Sequence, residues 1–302
     1  MEVNLKDSQK RLDSLRFLRN HVTENSVSDE VIEELVVILE DPDELTKRLA
    51  WQVLFNATVK NPIGQKVIEK TKPLILTKLM EEVPKTQNVI CALIKQNLKH
   101  FSDEDLLPMF KLILTLQVDF AVLLALELSK DHQLVEQLEP DLKLTVYELY
   151  QDALEHDKLD QDSLVFLIKQ FKKNSQSLLT TFKNQDHLDP VEVSRILLIL
   201  AQASSTDQFR SGMQEDMSLL IECIYLLRMI HDAQKPVASL DQSGDPESPV
   251  YGLKCNLIRI IANMVYRHKI NQDQVKSDFK KLRSRMLTKF SCFRSGIALE
   301  SS

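Results

Sequence analysis

Apolar residues recur at steps of three and four along most of this chain: Leu12, Leu15, Leu18 and Val22, then Val31, Leu35, Ile38 and Leu39, then Leu45, Leu49 and Val53. Each set draws one stripe along a helix with a 3.6-residue period. Between the stripes stand Ser28-Asp29-Glu30, Asp41-Pro42-Asp43-Glu44, Asn61-Pro62, Ser102-Asp103-Glu104-Asp105 and Asp189-Pro190-Val191-Glu192, where a capping side chain or a proline introduces a new helix. Strand-type alternation is not sustained anywhere, so the pattern predicts about fourteen helices joined by short turns. The segments Val118 to Leu128 and Val193 to Ala203 are apolar nearly all round. They read as inner helices covered by neighbours on both sides.

The pattern also repeats over long range. Leu49 to Thr58 is followed by Gln65 and Ile68, and Asn56, Gln65 and Ile68 have the same mutual offsets as Asn263, Gln272 and Val275. The copies lie 207 residues apart, or five periods of about 41, within the roughly 40 to 47 residues per unit of armadillo and HEAT arrays. The fold class expected is therefore all-α, an armadillo/HEAT-like right-handed α-solenoid.

Composition narrows the class further. Five glycines in 302 residues are too few for the phosphate loops and tight turns of a parallel α/β fold. The first residues show neither a basic n-region nor an apolar h-region, and the longest apolar runs, Phe120 to Leu126 and Ile196 to Ala201, fall short of a membrane span. A cytoplasmic chain without a transmembrane segment is expected. Its four cysteines, Cys91, Cys223, Cys255 and Cys292, are scattered and read as thiols in a reducing compartment. The net charge is −6, yet residues 276–302 carry +5 and leave −11 for residues 1–275. An acidic body argues against nucleic acid as the main partner.

Near the C-terminus the chain reads Tyr251-Gly252, Lys254, Leu257-Ile258-Arg259, Ile261 and Asn263, then Lys269, Asn271-Gln272-Asp273 and Val275. This segment resembles the opening of the C-terminal domain of the ataxin-10 family, a Y-G-x-K-x-x-L-I-R-x-I-x-N helix followed by K-x-N-Q-D-x-V. The resemblance implies an armadillo-like, non-enzymatic scaffold acting in cytokinesis, centrosome or basal-body biology and neuronal survival. It implies a cytoplasmic setting, perinuclear or at the centrosome or basal body. The partners it implies are a heterotrimeric G-protein β subunit, O-linked N-acetylglucosamine transferase and further copies of the same chain. After Val275 the likeness stops, which reads as a C-terminally truncated or alternative form. The expected organisation is a helical-repeat solenoid over 1–231, a flexible acidic, Pro- and Ser-rich linker over 232–250, and over 251–302 the start of an ataxin-10-type C-terminal domain with a divergent basic tail.

Sequence motifs for catalysis, nucleotide binding or metal ligation are missing, so no enzyme, no cofactor and no metal are expected. Interaction sites are the alternative. In armadillo proteins that hold extended peptides, a helical Asn faces the groove and a Trp one turn earlier frames a pocket. Asn56 and Asn263 match that Asn, but the Trp position is Gln52 in one copy and Arg259 in the other, and Trp51 is off by one. Two roles stand for Asn56 and Asn263: bracing the next turn between repeats, or touching a ligand with Arg259 beside them. An importin-like peptide or cargo carrier is the alternative function. In the tail, Phe279, Leu282, Met286, Phe290 and Phe293 form one apolar stripe among basic residues. Such a helix either caps the last repeat through Phe279 and Met286 or seeks an acidic partner or anionic membrane. Ser248, a Ser-Pro in the linker, is a candidate phosphorylation site, with an unmodified linker as the alternative.

Overall fold

The computed structural model describes residues 4–22, 27–59, 63–184, 190–233 and 252–278. Among them every regular element is a helix, as the single recurring period predicts. Three of the start signals work as caps, whereas the helix after Asn61-Pro62 begins at Ile63 without a side-chain cap. Ser28 accepts a hydrogen bond from Val31 N at the head of α2 (Asp29–Ile38). The Asp43 carboxylate accepts from Thr46 N at 2.8 Å at the head of α3 (Glu44–Thr58). Ser102 and Asp105 form a reciprocal capping box before α6 (Asp103–Ile113), which satisfies amides that a helix start otherwise strands. With glycine scarce, the left-handed turns after helices fall to Asp157 and Arg267, at φ 55° and 56°.

The chain divides into two compact units, Met1–Leu149 and Tyr150–Ser302. In the first, α1 (Ser8–His21), α3, α5 (Pro84–Gln96) and α7 (Asp119–Leu128) stand in a row, each packed on the next. A second row of α2, α4 (Gly64–Glu81) and α6 lies over it, α2 on α3, α4 on α3 and α5, α6 on α7. Leu15, Val22, Leu35, Leu39, Leu49 and Val53 from the sequence stripes are buried here, with Trp51 and Phe110 fully enclosed. Each such side chain contributes about 1.5 to 3 kcal/mol. The rows are also pinned by charge. Lys47 of α3 reaches both oxygens of Glu82, at 3.0 and 2.9 Å, where α4 ends, and Thr86 of α5 donates to Glu44 at 2.6 Å.

One expectation is corrected here. α7 is not covered all round: Phe120, Val122 and Leu123 are 41%, 48% and 45% exposed. α7 rests on α5 and α6, and these three residues lie on its uncovered side.

α8 (His132–Glu136) and α9 (Pro140–Glu155) follow. In the second unit, α10 (Gln161–Asn184) packs on α11 (Pro190–Ala203) and α13 (Met217–Ala233). α14 (Leu253–Val265) packs on α11, α13 and α12 (Asp207–Glu215), and residues 269–278 form a further helical segment. α11 is enclosed as its composition predicts, with Val193, Ile196, Leu197, Ile199 and Leu200 buried. Of the expected linker only residues 232 and 233 are described, and the basic tail beyond Asp278 lies outside the described residues.

Candidate functional site

Asn56 is the third residue from the end of α3. Its Nδ2 donates to the Arg19 carbonyl of α1 at 2.7 Å, a last-turn oxygen without an intrahelical amide to accept. Asn97, 41 residues further on, repeats the contact one helix later: its Nδ2 donates to Thr58 Oγ1 at 3.1 Å and to Leu93 O at 2.8 Å. The sequence reading missed Asn97, although one period counted from Asn56 points to it. Its closeness explains Gly64, where an added Cβ would stand 2.3 Å from Asn97 Oδ1. The ends of α1, α3 and α5 are thus tied by amides.

Asn263 is likewise the third residue from the end of α14, and its Nδ2 donates to Ser204 and Ser205 Oγ, just past α11, at 3.0 and 3.1 Å. Both helices stop in the same way. The extended residue that follows donates its amide back to the asparagine carbonyl, Val59 to Asn56 at 3.2 Å and Tyr266 to Asn263 at 3.3 Å. The two asparagines hold matching places, and both spend their Nδ2 on the chain itself.

Their surroundings differ. Around Asn263 the polar groups close on one another: Gln214 Nε2 donates to the carbonyls of Asn263 and Tyr266 at 3.0 and 2.8 Å, and fully buried Asn271 donates to Gln214 O and Met264 O, both at 2.9 Å. Arg259 is exposed and donates through Nε to Ser205 Oγ at 3.1 Å. The candidate residues Phe279, Met286 and Ser248 lie outside the described residues.

Around Asn56 the row of α1, α3, α5 and α7 leaves a groove instead. One cavity of about 400 Å³ is lined by Arg16, Arg19, Arg48, Gln52, Lys85 and Asn88 among others. A second, of about 340 Å³, shares Arg19, Gln52 and Asn88 and adds Phe55, Asn56 and Phe120. Arg48, Gln52 and Asn56 sit one turn apart on α3, so they face the groove together. Trp51 points the other way and is fully buried.

Titratable chemistry is muted. Burial pushes the Cys91 thiol up to about 12 and raises Cys223 as well, which keeps both as unreactive thiols. Among the described residues no cluster of three His, Cys, Asp or Glu side chains is placed to hold a metal ion, and no helix is long and apolar enough to cross a membrane.

No family model and no solved structure matches this chain. It is similar to ataxin-10 from Bos taurus, 33% identical over 104 residues, which is 32% of this chain and 22% of that protein. Ataxin-10 from Xenopus tropicalis is 28% identical over 132 residues, 41% of this chain and 27% of that protein. Ataxin-10 from Homo sapiens is 24% identical over 265 residues, 78% of this chain and 52% of that protein. The chain thus spans at most about half the length of these relatives, and what connects it to them is a distant resemblance over most of its own length.

Proposed function

We propose that this chain is a non-enzymatic protein-binding scaffold built as an armadillo/HEAT-like α-solenoid, working in the manner of ataxin-10. The observation that carries this reading is the row of α1, α3, α5 and α7, the ends of its first three helices tied by asparagine amides, with a groove along one face. Stacked helical units of this kind expose long surfaces for partners. The ataxin-10 resemblance supports the setting: the cytoplasm and the centrosome or basal body, in cytokinesis and in neuronal survival. It also supports a G-protein β subunit and O-linked N-acetylglucosamine transferase as partners, together with self-association.

Sedimentation of the purified chain, alone and mixed with each of these two proteins, tests the reading. A complex with either one, at a defined stoichiometry, is expected. Independent sedimentation of all components at micromolar concentration would remove the partner assignment, and a single monomeric boundary for the chain alone would remove self-association.

A further inference from the structure

The groove of the first unit has a chemistry that selects its occupant. The chain as a whole is acidic, with 44 Asp and Glu against 38 Lys and Arg, yet one cavity gathers Arg16, Arg19, Arg48 and Lys85. Two of these cations are engaged only locally: Arg16 pairs with exposed Asp13 at 3.4 Å, and Arg19 Nε donates to Asn20. Arg48 and Lys85 make no ion pair among the described residues. Several other lysines of the unit are matched, Lys47 with Glu82, Lys66 with Asp29, Lys70 with Glu33 and Lys78 with Glu40. A cluster of four cations, three of them without an ion pair among the described residues, concentrates positive potential in one place on an acidic body and favours an anionic partner.

Two amides refine the choice. Gln52 lines the groove with its Oε1 buried, while its Nε2 makes no hydrogen bond among the described residues and is left to donate to an incoming carbonyl. Asn88 accepts from Phe120 N through Oδ1 at 2.9 Å, which leaves its Nδ2 to donate. Two amide donors on adjacent helices can each meet a carbonyl along an extended backbone. The neighbouring cavity, with Phe55, Val89, Ala92 and Phe120, adds an apolar seat.

We infer that this groove binds an extended acidic peptide segment of a partner protein. Carboxylates lie against Arg48 and Lys85, the backbone bonds to Gln52 and Asn88, and an apolar side chain rests between Phe55 and Phe120. A nucleic acid fits less well, because four cations within a net charge of −6 neutralise few phosphates. The inference rests on the scaffold reading and names the partner chemistry of the same face.

The test uses the full chain and labelled peptides of about twelve residues: one of Glu with a central Leu, its Gln counterpart, its Lys counterpart, and an oligouridylate of equal negative charge. Fluorescence anisotropy should show the Glu peptide binding about tenfold more tightly than the Gln peptide at low salt, with the gap narrowing as salt rises. Arg48→Glu with Lys85→Glu should cost about tenfold or more in affinity, whereas Lys66→Gln on α4 should change nothing. Gln52→Ala should weaken binding without altering its salt dependence. Thermal melting of each variant confirms that the fold is kept. No binding of the Glu peptide, binding indifferent to the double reversal, or tighter binding of the oligouridylate would each overturn the inference. Repeating the sedimentation experiment with the double reversal separates the two readings. Complexes that survive it leave the scaffold standing and remove the groove, whereas a wild-type chain that forms no complex yet still binds the Glu peptide removes the assigned partners and keeps the groove.

Discussion

The two units end a helix on the same asparagine and then use the space around it in opposite ways. In the second unit Gln214, Asn271, Ser204 and Ser205 surround Asn263 and bond to it or to one another. In the first, Asn56 spends one bond on Arg19 O and otherwise borders a groove lined by Arg48 and Lys85, unpaired among the described residues, and by the unbonded amide of Gln52. One amide can therefore brace a junction without deciding whether that junction is closed or open. The neighbours decide, and position within a repeat is a guide to packing before it is a guide to function.

The largest effect should come from the charges that pin the first unit. Glu82 has a side chain with no exposure, and burial raises its pKa above the ordinary 4.5 despite the Lys47 ammonium. Lys47→Met leaves that carboxylate enclosed without its cation, at a cost of about 3 to 5 kcal/mol at neutral pH. A carboxylate whose folded pKa is raised gives its full stability below the unfolded value and loses it as pH rises through the folded one. The deficit, read from urea midpoints, should therefore shrink as pH is lowered toward 4.5. A loss of under about 1 kcal/mol at neutral pH would be the value of a surface pair and would mean that the rows are not held by this ion pair.

A smaller effect is expected where the second unit closes. Asn271→Ala strands the Gln214 and Met264 carbonyls, but it also removes an Oδ1 that is buried without a partner. The two terms oppose each other, so a net loss of about 2 kcal/mol is expected. Hydrogen exchange should rise in residues 253–278 and stay unchanged in α1 to α5. Equal loosening of both would show that the units do not hold their junctions independently.

Much of the helical layout was legible, because periodicity and caps act within a few residues: the stripe at Leu35, Ile38 and Leu39 and the Asp43 cap both formed as the sequence pattern predicts. The matching places of Asn56 and Asn263 were legible too, since 207 residues preserve a local pattern. The groove was not. Arg16, Arg48 and Lys85 lie on three helices and carry no shared motif, and only the stacking of those helices brings them together. Nor did composition reveal that Phe120 is open to solvent, since an all-apolar helix is covered only as far as its neighbours reach.

The smallest effect should be at Arg259, which occupies in the second unit the place that Gln52 occupies in the first. Its guanidinium is exposed and bonds one hydroxyl, Ser205 Oγ, which also accepts from Asn263. Removing it leaves that hydroxyl satisfied, so Arg259→Ala should stay within about 0.5 kcal/mol of the parent in urea unfolding. It should also leave acidic-peptide affinity unchanged, because the cations that matter line the groove of the other unit. A marked loss of peptide binding from this substitution would put the anionic site in the second unit and reverse the assignment of open and closed junctions. Unchanged binding here, beside a loss with Arg48→Glu and Lys85→Glu, would show that equivalent positions in the two copies have separated in role: one amide waiting for a partner, one cation held by its own chain.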